Sequence, residues 1–558
     1  MKKTILIFSL AFVAVCAGAQ TIQDALRFSE NNYEGSARTM AMGNAFTALG
    51  GDLGAVTINP AGSAVAKYSQ ITISPSLNIS VNTAGGTPVP GETSPNAFGN
   101  SLTNSLTRFS IPNYGVSMNF DLHRTRGLKN VSIGFVANST GRYLEGLRTS
   151  GEHFGTSFMG SEAYWAYGYD YNELMADRAF DYYNAPWRTI VAAQSGMISN
   201  LTDYPDEFIG SSEKIDESGN ISVAGPLNQS YQRQTRGYKN DYVFNIGFNI
   251  SDYVYIGANL GITALNYDSA IRYTEAAVDP DLFGIEYHID DGTEAGQDIT
   301  TYFHDMQYDY NYSAVGTGIY GKFGVIVTPG GGFRIGAAVQ TPVSTTITEN
   351  WSESGSTTYS DSQFNMSSES PVGEYRYRLI SPFRANFGLA YTLGNFGLIS
   401  VDYELCDYST MKFKELGMQS GEFDTQNSEI ADFMGTSHML RAGIEIKPIP
   451  QFAIRAGYGL TTSPEKAMDQ DGNIVYVSSM TDNPGQTMVH KGSFGLGYSS
   501  DGSFFADIAC SYTRYRYEYI YPYDDYIFDD SGNVITYVPE IQNRRGLWNV
   551  MLTLGFRF

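Results

Sequence analysis

Four cations, Lys322, Arg384, Arg441 and Arg455, each lie in a segment where apolar and polar residues alternate. If those segments are strands, parity turns all four away from the apolar face. A guanidinium or ammonium held there can bind a ligand carboxylate through a charge-assisted hydrogen bond. Asp402, Glu404, Glu445 and Asp507 fall on the same face by the same count. Mutual ion pairing therefore competes with ligand binding, and only a cation left unpaired would take the ligand role. A second chemistry is apolar capture. Between residues 141 and 239, Trp165, Phe180 and Trp187 stand among many tyrosines. Such rings either pack a small cap or line a greasy groove. Enzymatic chemistry is not expected, because no nucleophile has an identifiable base, and the histidines have no metal spacing, so no cofactor or metal is called for. Gly316 to Gly321 fits a dinucleotide fingerprint but lies inside an alternating segment with no helix to receive a pyrophosphate. The tips at 216–220, 469–473 and 529–533 read as tight hairpins, since one loop offers few of the oxygens that calcium takes.

The elements that must position these residues are strands. From Trp548 to Phe558 every even position is apolar (Trp548, Val550, Leu552, Leu554, Phe556, Phe558) and the odd ones are mostly polar. One face is greasy, and the length suits a tilted bilayer crossing, which takes about 9–11 residues. The pattern recurs at Phe504 to Tyr512, Phe494 to Tyr498, Phe452 to Leu460, Leu440 to Ile446, Ile399 to Leu405, Phe383 to Leu393, on both sides of 329–332 and of 251–252, and at Val131 to Ala137, Tyr114 to Leu122 and Ile71 to Val81. The count is fourteen, with short and long connections alternating. The expected fold is all-β: a 14-stranded antiparallel transmembrane β-barrel over residues 69–558, both ends periplasmic, with 141–239 as a long extracellular connection. Pro75 interrupts the first strand, where a bulge is expected.

Ahead of the barrel, Lys2 and Lys3, an apolar run and Ala17-Gly18-Ala19 read as a secretory signal peptide over 1–19. Residues 20–68 do not alternate. They carry Leu26 and Phe28 in a short amphipathic pattern, a small-residue stretch from Ser36 to Ala48, and Asn59-Pro60-Ala61-Gly62. A piece this small cannot build its own core, whereas a barrel of this size encloses a cavity, so the segment is expected as a plug in the lumen. Arg38 to Ala48 and Asn59 to Gly62 resemble the N-terminal hatch of the FadL-type outer-membrane transporters of long-chain fatty acids and other hydrophobic compounds. The chain departs from the family's usual residues at Gly43-Asn44, in place of Gly-Gly, and at Thr57-Ile58, in place of an aromatic pair. The resemblance implies capture among outer loops, passage beside the hatch, and lateral exit through a gap made by a kinked third strand. Carried over by position, Asn59, Pro60 and Ala61 are hatch residues and Gly134 is the candidate kink.

Charge narrows the partners. A formal net charge of −23 repels phosphate backbones and excludes nucleic acid. The sequence thus reads as an outer-membrane channel, expected to act as a monomer, whose partners are outer-membrane lipid and a hydrophobic small molecule. The alternative is an accessory barrel for protein secretion or surface binding, with a sealed wall and an exposed docking face.

Overall fold

Alternation becomes a ring of hydrogen-bonded strands in the computed structural model, which describes residues 21–86, 97–201, 204–216, 219–289, 297–417, 421–469, 472–481, 483–528 and 534–558. The segment expected as a signal peptide (1–19), the tip at 529–533 and parts of the tips at 216–220 and 469–473 lie outside the described residues. Fourteen barrel strands follow in chain order. They are β1 (Gln70–Gly86), β2 (Leu102–Asp121), β3 (Leu128–His153), β4 (Leu227–Ile250), β5 (Val254–Ala277), β6 (Gln297–Gly330) and β7 (Phe333–Gln340 continuing as Ser344–Tyr359). The rest are β8 (Gly373–Ile380 continuing as Arg384–Leu393), β9 (Gly397–Asp407 continuing as Lys412–Glu415), β10 (Thr436–Ile449), β11 (Phe452–Thr461), β12 (Val489–Ser499), β13 (Phe504–Arg514 continuing as Glu518–Ile520) and β14 (Ile541–Arg557). Each pairs antiparallel with its neighbours, and β14 closes on β1 from Gln70↔Arg557 to Gly86↔Ile541.

The outside is a lipid-facing belt. Trp548, Val550, Leu552, Leu554 and Phe556 are exposed on β14, while Asn549, Met551 and Thr553 between them are buried. On β1, Ile71, Ile73 and Leu77 point out and Thr72, Ser74, Ser76, Asn78 and Ser80 point in. A bulge falls at Pro75 as expected, with the extra residue on β2: Ile111 and Pro112 stand opposite Pro75 between Ser74↔Asn113 and Ser76↔Ser110. No described helix is long and apolar enough to cross a membrane. The Gly316 to Gly321 run lies within β6.

The long connection is shorter than its expected bounds of 141–239. β3 and β4 pair without interruption by other elements from Gly141↔Lys239 to His153↔Leu227, so only residues 154–226 connect them. Those residues carry short helices, including Phe158–Ala166 and Trp187–Gln194, and pack a core of Phe158, Met159, Ile190, Val191 and Phe208 against Tyr273 and Phe303 of β5 and β6.

Candidate functional site

Residues 21–66 touch inward-facing side chains around most of the ring. Thr21 caps a short helix, Ile22–Ser29, by accepting from the Asp24 amide. Its apolar face meets Leu265, Tyr267 and Tyr312 in the upper bore. Lower down, Arg38 pairs with Glu445 of β10 (Nε to Oε2, 2.9 Å). The amide and hydroxyl of Thr47 both donate to Asp402 of β9 at 2.7 Å, and Ala37 N donates to Thr553 of β14 at 2.8 Å.

Asn59 holds the fold of the segment itself. Its side chain accepts from Ala61 N at 3.1 Å and donates to Thr47 O at 2.6 Å. Pro60 O accepts from Asn245 of β4 at 3.0 Å. The wall here is glycine because nothing else fits. A Cβ on Gly324 would meet Asn59 Oδ1 at 1.9 Å, and one on Gly257 would meet the Pro60 carbonyl carbon at 2.3 Å. Asn44 adopts φ 61°, which asparagine tolerates better than most residues, and donates to Tyr33 O at 2.6 Å.

All four sequence-selected cations are buried, but they are not equivalent. Arg384 pairs with Glu404 at 3.0 Å and Arg441 pairs with the same carboxylate at 3.2 Å. Arg455 bridges Glu445 at 2.6 Å and Asp507 at 2.5 Å. Ion pairing thus accounts for these three. Lys322 instead donates to Thr57 O of the leading segment at 2.9 Å. Nε and Nη1 of Arg441 have no hydrogen-bond partner among the described residues. They border a cavity of about 70 Å³ that Tyr33, Asn44, Arg142 and Lys491 also line. That volume holds a water or two, far below the roughly 300 Å³ of a small-ligand site.

One seam of the wall lacks a ladder. β2 and β3 pair only from Asn113↔Asn138 to Asp121↔Asn130. Above this, β2 pairs with β1 alone and β3 with β4. Pro112, which has no amide hydrogen, stands where the ladder stops. Beyond it β3 turns inward, for Val136 to Arg142 are buried at every position, whichever face parity assigns. Gly134 is not the kink. It sits in regular register with Ser117 and Asn245, and the irregularity on the β4 side falls between Ser139 and Gly141. The carbonyls there are taken by the leading segment: Asn32 N donates to Thr140 O at 2.7 Å and Glu34 N to Ser139 O at 3.1 Å. A bridge from Asn100 to Ser150 bounds the seam above, and Asn104 and Leu106 lie over Gly146 within it. Asn59 and Pro60 face β4 to β7 instead, so the residues nearest the seam are Asn32 to Gly35. Pro112, which the sequence reading passed over, is the residue that could have marked it.

In the outer cap, Trp187 packs edge-on against Phe180 (centroids 6.0 Å) and lies 5.8 Å from Trp351 of β7, all half-buried. Trp165 is 41% exposed and donates to Asp524 at 3.0 Å. Trp165 therefore stands apart from the Phe180–Trp187–Trp351 row.

No family model matches the chain, and no curated protein matches it. Similar solved structures include a FadL homologue of Pseudomonas aeruginosa, at 10% identity and TM-score 0.48, covering 94% of this chain and 99% of that one. The P. putida toluene transporter TodX gives 11% and 0.45 with the same coverage, and the Ralstonia pickettii toluene transporter TbuX 13% and 0.42, again covering 94% and 99%. On its own geometry the chain is a closed fourteen-stranded antiparallel β-barrel with an apolar outer belt.

Proposed function

We propose that this barrel is a passive uptake channel for hydrophobic small molecules, held here in a closed state, with residues 21–66 as its plug. The observation that carries the reading is the β2–β3 seam, whose free β3 carbonyls at Ser139 and Thr140 are occupied by the amides of Glu34 and Asn32. A greasy molecule gains about 0.8 kcal/mol for each methylene kept out of water, so a side exit into the bilayer is favoured over descent through a wet bore. Release of Asn32 to Gly35 from β3 would open both the cavity beside Arg441 and the seam. Phe180, Trp187 and Trp351 are the proposed capture surface. Arg441 and Lys491 are the proposed contacts for an acidic head group, with Lys322, Arg384 and Arg455 holding the plug and the wall. No enzymatic role is proposed.

Cysteines at Asn32 and Thr140, in a background without Cys406 and Cys510, test this. The backbone hydrogen bond between these residues puts them at ladder spacing, within the reach of a disulfide. Oxidation should abolish uptake of oleate or toluene, and reductant should restore it. Uptake that is unaffected by the crosslink would overturn lateral release at this seam. The small volume of the inner cavity is what favours the second reading, an accessory barrel. A channel incapable of loading either compound in any state would support it.

A further inference from the structure

Some exterior cations above the belt stand beside a carboxylate. Arg272 of β5 pairs with Asp309 of β6 at 2.7 Å, and Arg236 of β4 stands directly opposite Asp268 of β5. On two other strands four cations cluster without one. Arg376 and Arg378 of β8 and Lys412 and Lys414 of β9 are exposed, and none of them takes part in an ion pair among the described residues. Their direction is fixed by their neighbours, since Tyr377, Leu379 and Phe413 between them are buried in the bore. Register draws them together: Arg378 lies opposite Lys414, and Lys412 opposite Ile380. Cross-strand neighbours are about 5 Å apart at Cβ and alternate residues on a strand about 7 Å, so two cations reach one phosphate.

Their height is also fixed. Directly below on the same two strands are Phe383, Phe387, Tyr403 and Leu405, all exposed apolar or aromatic residues of the belt. On the β7 side, Ser344, Thr346 and Thr348 stand opposite Ile380, Arg378 and Arg376 and add half-exposed hydroxyls. The nearest outward carboxylate on β8 is Glu374, one alternate position above Arg376.

We propose that Arg376, Arg378, Lys412 and Lys414 form a site on the outer wall for the phosphate groups of anionic lipid in the leaflet surrounding the barrel. In a chain with 58 acidic and 35 basic residues, four unpaired cations at the head-group level are complementary to that surface. They would hold a lipid annulus on the side of the barrel formed by β8 and β9. The site does not depend on what the bore transports.

The test uses the full-length barrel in phosphatidylcholine nanodiscs containing a minority of phosphatidic acid, with bound lipid counted by native mass spectrometry. Replacing all four (Arg376→Gln, Arg378→Gln, Lys412→Gln, Lys414→Gln) should lower retained phosphatidic acid by about tenfold or more, given the size of a single cation's attraction to an anionic surface. Arg272→Gln should leave retention unchanged, and Arg376→Lys with Arg378→Lys should preserve most of it. Folding of each variant is read from the mobility of unheated protein on a denaturing gel. Equal retention by a folded quadruple variant would overturn the proposal. So would displacement of phosphatidic acid by inorganic phosphate at equal concentration, which would mark a site for a soluble anion.

Discussion

Arg38 and Glu445, separated by 407 residues in the chain, meet through both Nε and Nη2 of the guanidinium, at 2.9 and 3.3 Å. The same carboxylate receives Arg455 at 2.6 Å and lies 3.8 Å from Lys447, so one acid side chain of the wall serves cations of both the leading segment and the barrel. Glu445→Gln leaves the Arg38 guanidinium without its carboxylate and Arg455 with Asp507 alone, at a cost of about 3–5 kcal/mol for breaking a buried pair, whereas Arg38→Gln leaves the Glu445–Arg455 pair intact and should cost less. Hydrogen exchange of residues 21–66 should accelerate in that order while the strands stay protected.

The glycine wall gives a second expectation. Gly324→Ala places a methyl group 1.9 Å from Asn59 Oδ1, so it should unseat the Asn59 turn and expose residues 21–66 to protease. Gly492→Ala meets nothing within 4 Å and should be silent. Proteolysis of the intact barrel in detergent distinguishes them.

In the outer cap, burial raises the Glu275 carboxyl to about 7 and that of Glu213 to about 8 from the ordinary 4.5, with Asp525 adding to the effect on Glu213. Between about pH 5 and 8 the folded cap thus holds protons that the unfolded chain has released, so its stability falls as pH rises through that window and levels off above it. Protection factors in the Phe158–Ala166 helix, taken relative to the intrinsic exchange rate at each pH, should fall accordingly. In Glu213→Gln the upper part of the fall, toward pH 8, should vanish.

Pro112 marks the end of the β2–β3 ladder, and Pro112→Val supplies the missing amide hydrogen. The substituted barrel should melt at a higher temperature in detergent and, if the seam is the exit, take up hydrophobic probe more slowly. Faster uptake would contradict the assignment.

Much of the wall was legible because lipid enforces one simple rule, apolar out and small or polar in, and residues such as Ile71 against Thr72 or Leu552 against Thr553 obey it. The rule lapses above the bilayer. On β6, Tyr308 and Tyr312 point inward and Asp309 and Asn311 outward, the reverse polarity, which is why the outward extensions of β3 and β4 were read as loop. Parity also placed Lys322, Arg384, Arg441 and Arg455 away from lipid, but it carries no information on partners across the bore. Gly134, the candidate kink, lies in regular register, and the irregularity sits at Ser139–Gly141 for a related reason. Glycine permits a bend, whereas the bend is set by a proline on the neighbouring strand and by amides more than a hundred residues earlier in the chain.

The closure of β14 on β1 bears on the order of assembly. The leading segment is anchored to the first strand, yet its seat needs Thr553 from the last strand together with Asn245 and Asp402 from the far arc. Until first and last strands zip, only fragments of that seat exist. Seating of the leading segment is thus expected to coincide with completion of the cylinder, and substitutions that spoil the seat should delay biogenesis as well as loosen the finished protein.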